Sequence, residues 1–283
     1  MGNCNPFVSV VIANYNYGRF LDEALRSLIS QTCQDFEIIV CDGGSTDDSV
    51  DVIRKYEDKI AWWCSEKDGG QSAAFNKGFS HARGRFLTWL NADDVMLPKT
   101  IERLKVAAKK NPSCEWFAGG CLWLSPEMRV IKCGRGRPMS RLRMWAGSVV
   151  TWGPSSFFTK RLLDSVGGVD ERFHYAMDGD LWRRFAYKAK VRFLPFCKYA
   201  WGLRMHPDAK MSGHNFKESA QQDKNHPKWE QIRKEVAWMN DYYTIAKHFN
   251  FLIKLLSVSW YGSLMGRIDT LRYKGMHYSE VAQ

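Results

Sequence analysis

Asn91, Asp93 and Asp94 follow an apolar run at residues 85–90, and a helix is expected to open near Pro98. Adjacent carboxylates at the carboxyl end of a hydrophobic strand are costly unless something cationic neutralises them. In an open α/β sheet, ligands sit at that end of the strands. A hard divalent cation, Mg²⁺ or Mn²⁺, held by one or two carboxylates and completed by ligand phosphates, would satisfy the pair. The competing reading is an N-cap pair opening the Pro98 helix, because Asp favours helix starts. Taken alone, these residues leave both readings open.

The elements that would carry them favour a ligand. Residues 8–13 form an apolar, β-branched run that ends at Asn14. Phe20, Leu21, Ala24, Leu25, Leu28 and Ile29 then recur at helical spacing. Residues 36–41 read as a second strand ending at Asp42, with a helix opening at residues 46–48. A third strand, 60–64, is followed by Gly69, Gly70 and a helix over 71–82, and 85–90 is the fourth strand. Strand–helix alternation with short connections predicts an α/β fold whose mostly parallel, doubly wound sheet has right-handed crossovers. Four strands would then deliver Asn14, Asp42, Glu66 with Asp68, and Asp93 with Asp94 to one edge. That convergence points to a nucleotide-type ligand. No G-x-G-x-x-G follows the first strand and no G-x-x-x-x-G-K-[ST] occurs, which disfavours dinucleotide binding and P-loop chemistry.

The second half is less regular. Residues 116–124 read as a strand or hairpin, 160–166 as a short helix, 175–188 as containing a helix, and 191–195 and 199–205 as strands. From about residue 214 the chain loses the α/β rhythm and reads as helical. The expected organisation is therefore a domain over 1–213, with a nucleotide-binding half (1–97) and an acceptor-binding half (98–213), followed by a C-terminal helical extension over 214–283.

With 283 residues, 45% of them hydrophobic, the chain can bury a sizeable core. Its net charge is +11. Arg129, Lys132, Arg135, Arg137, Arg141 and Arg143 form a run without Asp or Glu, read as a basic loop for an anionic partner or as a solvated loop. The eight cysteines include no Cys-x-x-Cys pair, which argues for reduced thiols and against a zinc site. The first residues lack the apolar core of a signal peptide, and no run is long and apolar enough to span a bilayer. The expected location is cytoplasmic. Phe249, Leu252, Ile253, Leu256 and Trp260, followed by Arg267, Arg272 and Lys274, could lie peripherally on the inner face of the cell membrane, or pack on the main domain or a second subunit.

The segments VSVVIANYNYGRFLDEALRSLISQT, FEIIVCDGGSTDDSVDVI, DGGQSAAFNKGFSHARG and WLNADD resemble the family 2 inverting glycosyltransferases, as do the later GGVDERFHYAMDGDLWRRF and LRMHPDAK. The resemblance covers about residues 6–212. It implies the GT-A fold and transfer of a sugar from a nucleotide-diphosphate sugar, with a UDP-sugar favoured and dTDP- or GDP-sugars as alternatives. The acceptor would be a saccharide or a lipid-linked hydroxyl, the setting bacterial surface-polysaccharide biosynthesis, the cofactor Mg²⁺ or Mn²⁺, and nucleic acid is not an expected partner.

Carried over by position, the resemblance makes Asp42 a ligand of the donor base or ribose, with Asn14 beside it at the donor edge. Asp93 would lie nearer the ribose and Asp94 on the metal. Asp178 would be the general base, with Asp180 as the alternative and an N-cap as the structural reading of Asp178. Arg204, His206 and Lys210 would close over the pyrophosphate, His206 adding a metal or phosphate contact. Lys77 and Arg83 fall near the donor edge, and Trp152 could form an acceptor platform. The chain departs from the family pattern at Gly43, Asn91, Met177 and Ala209, where many relatives carry Asp, Asp, Glu and Ser. A non-catalytic nucleotide- or glycan-binding protein and a sugar-phosphate nucleotidyltransferase are the competing readings. The latter should show a Gly-rich basic loop after the first strand, which NYNYGRF does not match.

Overall fold

A computed structural model describes residues 5–136, 151, 153–173, 177–191, 193–209 and 259–281. β1 (Val8–Asn14) leads into α1 (Gly18–Ile29), β2 (Phe36–Asp42) into α2 (Ser49–Lys55), and β3 (Trp62–Ser65) into α3 (Gln71–His81). β4 (Phe86–Asn91) completes this half, and the four strands pair in parallel in the order β3-β2-β1-β4. The alternating half therefore folds as the sequence pattern predicts.

Alternation along β1 divides the core. Val8, Val10 and Ile12 point to one face, packing with Leu21, Ala24, Leu25 and Leu28 of α1 and with Ile101 and Leu104 of α4 (Thr100–Lys110). Val11 points to the other face, with Ala74, Phe75 and Phe79 of α3. Burying each such large side chain contributes about 1.5–3 kcal/mol. Helix α3 lies close on the sheet because Gly78 allows it: a Cβ there would stand 2.3 Å from Val11 Cγ1. That contact fixes the height at which the first residues of α3 reach the strand ends.

The irregular half adds strands on both sides of a switch. β6 (Trp116–Ala118), β9 (Ser156–Thr159) and β10 (Leu194–Pro195) extend the first sheet beyond β4. β5 (Val95–Met96), β11 (Trp201–Arg204), β7 (Cys121–Leu124) and β8 (Val130–Gly134) form a second, four-stranded sheet. Residues 116–124 are thus neither one strand nor a hairpin: the chain changes sheets at Gly119 and Gly120, between β6 and β7. Helices α5 (Lys160–Val166) and α6 (Met177–Tyr187) cover the α3 face. Trp182 of α6 stacks on Trp89 (5.6 Å, 8°) and Trp116 (5.0 Å, 27°), so an aromatic core anchors the helix that carries Asp178.

The basic run is corrected in part. Arg129, Lys132 and Arg135 lie on or beside strand β8, each with an internal partner. Arg129 donates to the Gly275 carbonyl (3.0 Å), Lys132 lies over the Trp123 ring (5.0 Å), and Arg135 pairs with Asp269. Arg137, Arg141 and Arg143 lie outside the described residues.

Asp269 belongs to α7 (Ser259–Tyr273), which is followed by α8 (Tyr278–Val281). Its buried carboxylate also accepts from Lys198 and Tyr199, so the described C-terminal helix packs on the second sheet. The expected stripe from Phe249 to Leu256 lies outside the described residues, as does the Trp260 side chain. Among the described residues no helix is long and apolar enough to cross a membrane, and the described cysteines are all free thiols.

Candidate active site

Strand register brings the polar residues to one level. Asn14 pairs with Asp42, Ala13 with Asn91, and Asp42 with Ser65. The next residues of each chain segment therefore emerge from a single edge of the first sheet, as the sequence pattern implies.

At the β2 end, Asp42 is only 1% exposed. Its carboxylate accepts from Asn14 Nδ2 (2.7 Å), Ser45 N (2.9 Å), Ser45 Oγ (2.5 Å) and Ser65 Oγ (2.6 Å). Burial alone would raise this carboxyl, but the bonds from Ser45, Ser65 and Asn14 outweigh it and hold it below the usual carboxylate range. Asp42 and Asn14 thus shape the loop between β2 and α2. Their hydrogen bonds tie β1, β2, β3 and this loop together at the strand edge.

Asp93 and Asp94 separate into two roles. Asp94 is 0% exposed, and its two oxygens accept from Asn91 Nδ2 (2.7 Å) and the backbone N–H of Arg204 (3.0 Å). Burial, then the neighbouring Asp93 charge, push its carboxyl well above the usual range. Asp94 ties the β4–β5 turn to β11 from inside. Asp93 is the half-buried member, and its Oδ2 lies 3.1 Å from His206 Nε2. The His206 ring packs 4.4 Å from Phe20 and 5.9 Å from Tyr17, and its buried Nδ1 has no partner among the described residues. Among the described residues no three His, Cys, Asp or Glu side chains gather as a metal cluster. One carboxylate oxygen and one imidazole nitrogen nevertheless form a donor pair suited to Mn²⁺ or Mg²⁺ when phosphate oxygens complete the shell.

Asn91 shows why an amide suits this position. It accepts from Gln71 Nε2 (3.0 Å) and donates to Asp94. A carboxylate there would face the buried Asp94 with no proton to offer.

Arg204 is the last residue of β11. It is 5% exposed, with Nε donating to the Asp93 carbonyl (3.1 Å), NH2 paired with Glu23, and the guanidinium 4.9 Å from the Phe20 ring. It braces the Asp93–Asp94 turn from behind. Lys210 lies outside the described residues. The turn after His206 docks on the start of α1, where Tyr17 Oη donates to the Asp208 carbonyl (2.7 Å) and Arg19 pairs with the Asp208 carboxylate. Burial, then the charges of Asp93 and Asp208, push the Tyr17 phenol up to about 12, so it remains a neutral donor. Tyr17, Phe20 and Glu23 were missed as site-supporting residues. Their spacing of three on one helix face was the available signal, but it also reads as ordinary core packing.

Asp178 is the second residue of α6, half-buried, with Oδ1 accepting from Gly179 N (2.6 Å). Asp178 thus lies inside the first turn rather than at the N-cap, and its bond is to the N–H of the next residue. Asp180 is held by Arg184 (2.6 Å), which also donates to the carbonyls of Val166 and Gly168. Ser72 connects the two acidic regions: its Oγ donates to the Phe173 carbonyl (2.8 Å) and contacts Met177 Sδ (3.3 Å). Its neighbour Gln71 holds Asn91. The start of α6 therefore lies against the start of α3, next to the Asn91–Asp94 turn. Lys77 pairs with Glu66 (2.8 Å). Arg83 grips Glu37, which pairs in register with Ser9 near the beginning of β1, so it lies toward the opposite end of the sheet from the donor edge. Trp152 lies outside the described residues.

Residues 9–118 match the model of the glycosyl transferase family 2. A glycosyltransferase of Mycobacterium tuberculosis is 33% identical over 187 residues, which cover 64% of this chain and 69% of that protein. One from Nostoc is 44% identical over 101 residues and one from Rickettsia prowazekii 27% over 198. The chain spans 31% and 61% of those two relatives' lengths. Among solved structures, Staphylococcus aureus TarS in complex with UDP superposes with a TM-score of 0.53 at 22% identity, covering 71% of this chain and 61% of that one. The mannosyltransferase PcManGT of Pyrobaculum calidifontis, in complex with GDP-Man and Mn²⁺, gives 0.55 at 17% identity, covering 99% and 84%. At these identities the likeness shows the fold, and that fold is GT-A.

Proposed function

The chain belongs to glycosyl transferase family 2, and from that premise we propose that it transfers a sugar, with inversion, from a nucleotide-diphosphate sugar to a hydroxyl of a glycan or lipid-linked acceptor. Residues 1–97 would serve the donor and 98–213 the acceptor, and the setting would be bacterial surface-polysaccharide assembly. The observation that carries the reading is the Asp93–His206 pair at the edge where β1, β2 and β4 end, with Asp178 on the adjoining helix start.

The acceptor oxygen attacks the anomeric carbon as the bond from that carbon to the diphosphate oxygen breaks. The acceptor proton passes to the Asp178 carboxylate, since Asp180 is committed to Arg184. A single displacement inverts the anomeric centre. Asp93 and His206 would hold Mg²⁺ or Mn²⁺, whose charge offsets that of the departing nucleoside diphosphate. Asp94, Asn91 and Gln71 fix the turn that presents Asp93, while Phe20 and Tyr17 fix the ring of His206. That the two solved relatives are in complex with UDP and with GDP-Man and Mn²⁺ supports the donor class.

The test is incubation with α-linked UDP- and GDP-sugars, Mn²⁺ and saccharide or polyprenyl-phosphate acceptors, reading the product anomer by proton NMR. A β-linked product supports the reading. An α-linked product, or no transfer from any donor, opposes it.

A further inference from the structure

Residues 275–278 run along the outer edge of β8, the last strand of the second sheet. Gly275 N donates to the Val130 carbonyl (2.8 Å), Val130 N to that of Met276 (2.8 Å), and Tyr278 N to that of Met128 (3.1 Å). Arg129 and His277 pair as an antiparallel bridge. Gly275 makes the turn into this segment: it has φ +84°, the left-handed conformation in which a chain commonly leaves a helix. Asp269 pins α7 to the same sheet through Arg135, Lys198 and Tyr199, and Thr270 Oγ1 accepts from Cys133 N (2.9 Å).

The segment delivers two side chains to the apolar cluster that backs the site. Val95 directly follows Asp94, and Leu124 pairs in register with Arg204. Both belong to a buried cluster with Leu97 and Leu122, against which Tyr278 and Val281 pack. The Tyr278 phenol there feels the ion pair that braces the Asp93–Asp94 turn. Burial, then the Glu23 charge, push it up, while Arg204 opposes them, so the phenol stays neutral beside the pair. Close-packed interiors transmit small displacements. Whatever closes this cluster therefore also fixes the turn that Val95 and Arg204 hold.

We propose that residues 275–281 are the rear support of the metal-binding turn, with Tyr278 as a positioning residue. By closing the cluster of Val95 and Leu124, they hold Arg204 on Glu23 and on the Asp93 carbonyl. That in turn keeps Asp93 and His206 at the spacing a divalent cation needs. Only this last link rests on the metal reading above; the support itself is a property of the metal-free chain. Tyr278 touches neither donor nor metal and acts through Arg204. The support comes from the C-terminal extension, which the transfer reaction above does not otherwise use.

Two measurements on the full chain test this: calorimetric titration of Mn²⁺ with UDP or GDP present, and amide hydrogen exchange without metal. Tyr278→Ala should weaken Mn²⁺ binding about tenfold, the usual scale for a residue that orients a metal ligand from behind. It should also speed exchange at the Arg204 N–H, while Ile39 and Val40 of β2 keep their wild-type rates. Tyr278→Phe keeps the ring and should match the wild type in both readouts. Val281→Ala removes less and should shift both in the same direction, which carries the test should Tyr278→Ala not fold. Leu271→Ala, at an 83% exposed position on α7, should change neither. If Tyr278→Ala leaves Mn²⁺ affinity or Arg204 exchange at the wild-type value, or speeds exchange equally in β2, the segment is only a cover and the proposal is wrong. If the wild type binds no Mn²⁺, the metal reading falls, and Arg204 exchange alone then decides whether the support exists.

Discussion

His206 Nε2 lies 3.1 Å from Asp93 Oδ2, although 113 residues separate them in the chain. The histidine follows β11 of the second sheet, and the aspartate follows β4 of the first. Their meeting depends on Arg204, whose backbone N–H binds Asp94 and whose side chain binds the Asp93 carbonyl and Glu23. The second sheet therefore acts as the arm that brings an imidazole to the strand edge of the first.

The buried partner of this pair should behave as a structural residue. Asp94→Ala leaves the Arg204 N–H and the Asn91 amide without their acceptor, at a cost of about 1–3 kcal/mol. Thermal unfolding without metal should show a midpoint lower by several degrees. An unchanged midpoint combined with lost Mn²⁺ affinity would instead make Asp94 the direct ligand.

Asp94 also predicts a pH slope. Burial and Asp93 raise its carboxyl in the native state, so the folded chain binds this proton more tightly than the unfolded chain. Its contribution to stability is therefore highest in acid and declines as pH rises from the ordinary carboxylate value through the raised one. Denaturant titrations across pH should show that decline, and Asp94→Asn should remove it.

Asp269 should act in the opposite sense. Burial works against its carboxylate, but hydrogen bonds from Arg135, Tyr199 and Lys198 outweigh it and hold it at about 2. The resulting stabilisation, on the order of 2 kcal/mol, is present above the ordinary carboxylate value and is lost as pH falls through about 2. Asp269→Asn should lower stability at neutral pH, with the two stability curves converging near the acid end. Parallel curves would mean that the ion pair adds nothing.

Much of the alternating half was legible in the sequence because its evidence is local. Runs such as VSVVIA are strands by composition, and each ends in a polar residue within one or two positions. What escaped depends on partners far along the chain. Arg135 reads as part of a loose basic run because its partner, Asp269, lies 134 residues on. Asp93 and Asp94 look equivalent until β11 buries one of them. Nothing near Arg204 in the sequence announces that its guanidinium pairs with Glu23, 181 residues earlier.

Asp178 should matter for turnover and little for donor binding. Asp178→Asn keeps the size and the acceptor for Gly179 N–H but cannot take a proton. Initial rates should fall about 10²–10⁴-fold with nucleotide affinity unchanged. A fall of less than about tenfold would move the base elsewhere.

The most direct measurement is calorimetric binding of UDP and GDP with Mn²⁺ to wild type, Asp93→Ala and Asp178→Asn. Metal-dependent binding of at least one nucleotide to wild type and Asp178→Asn, lost in Asp93→Ala, is the expected result. Binding to Asp93→Ala as tight as to wild type would contradict the account.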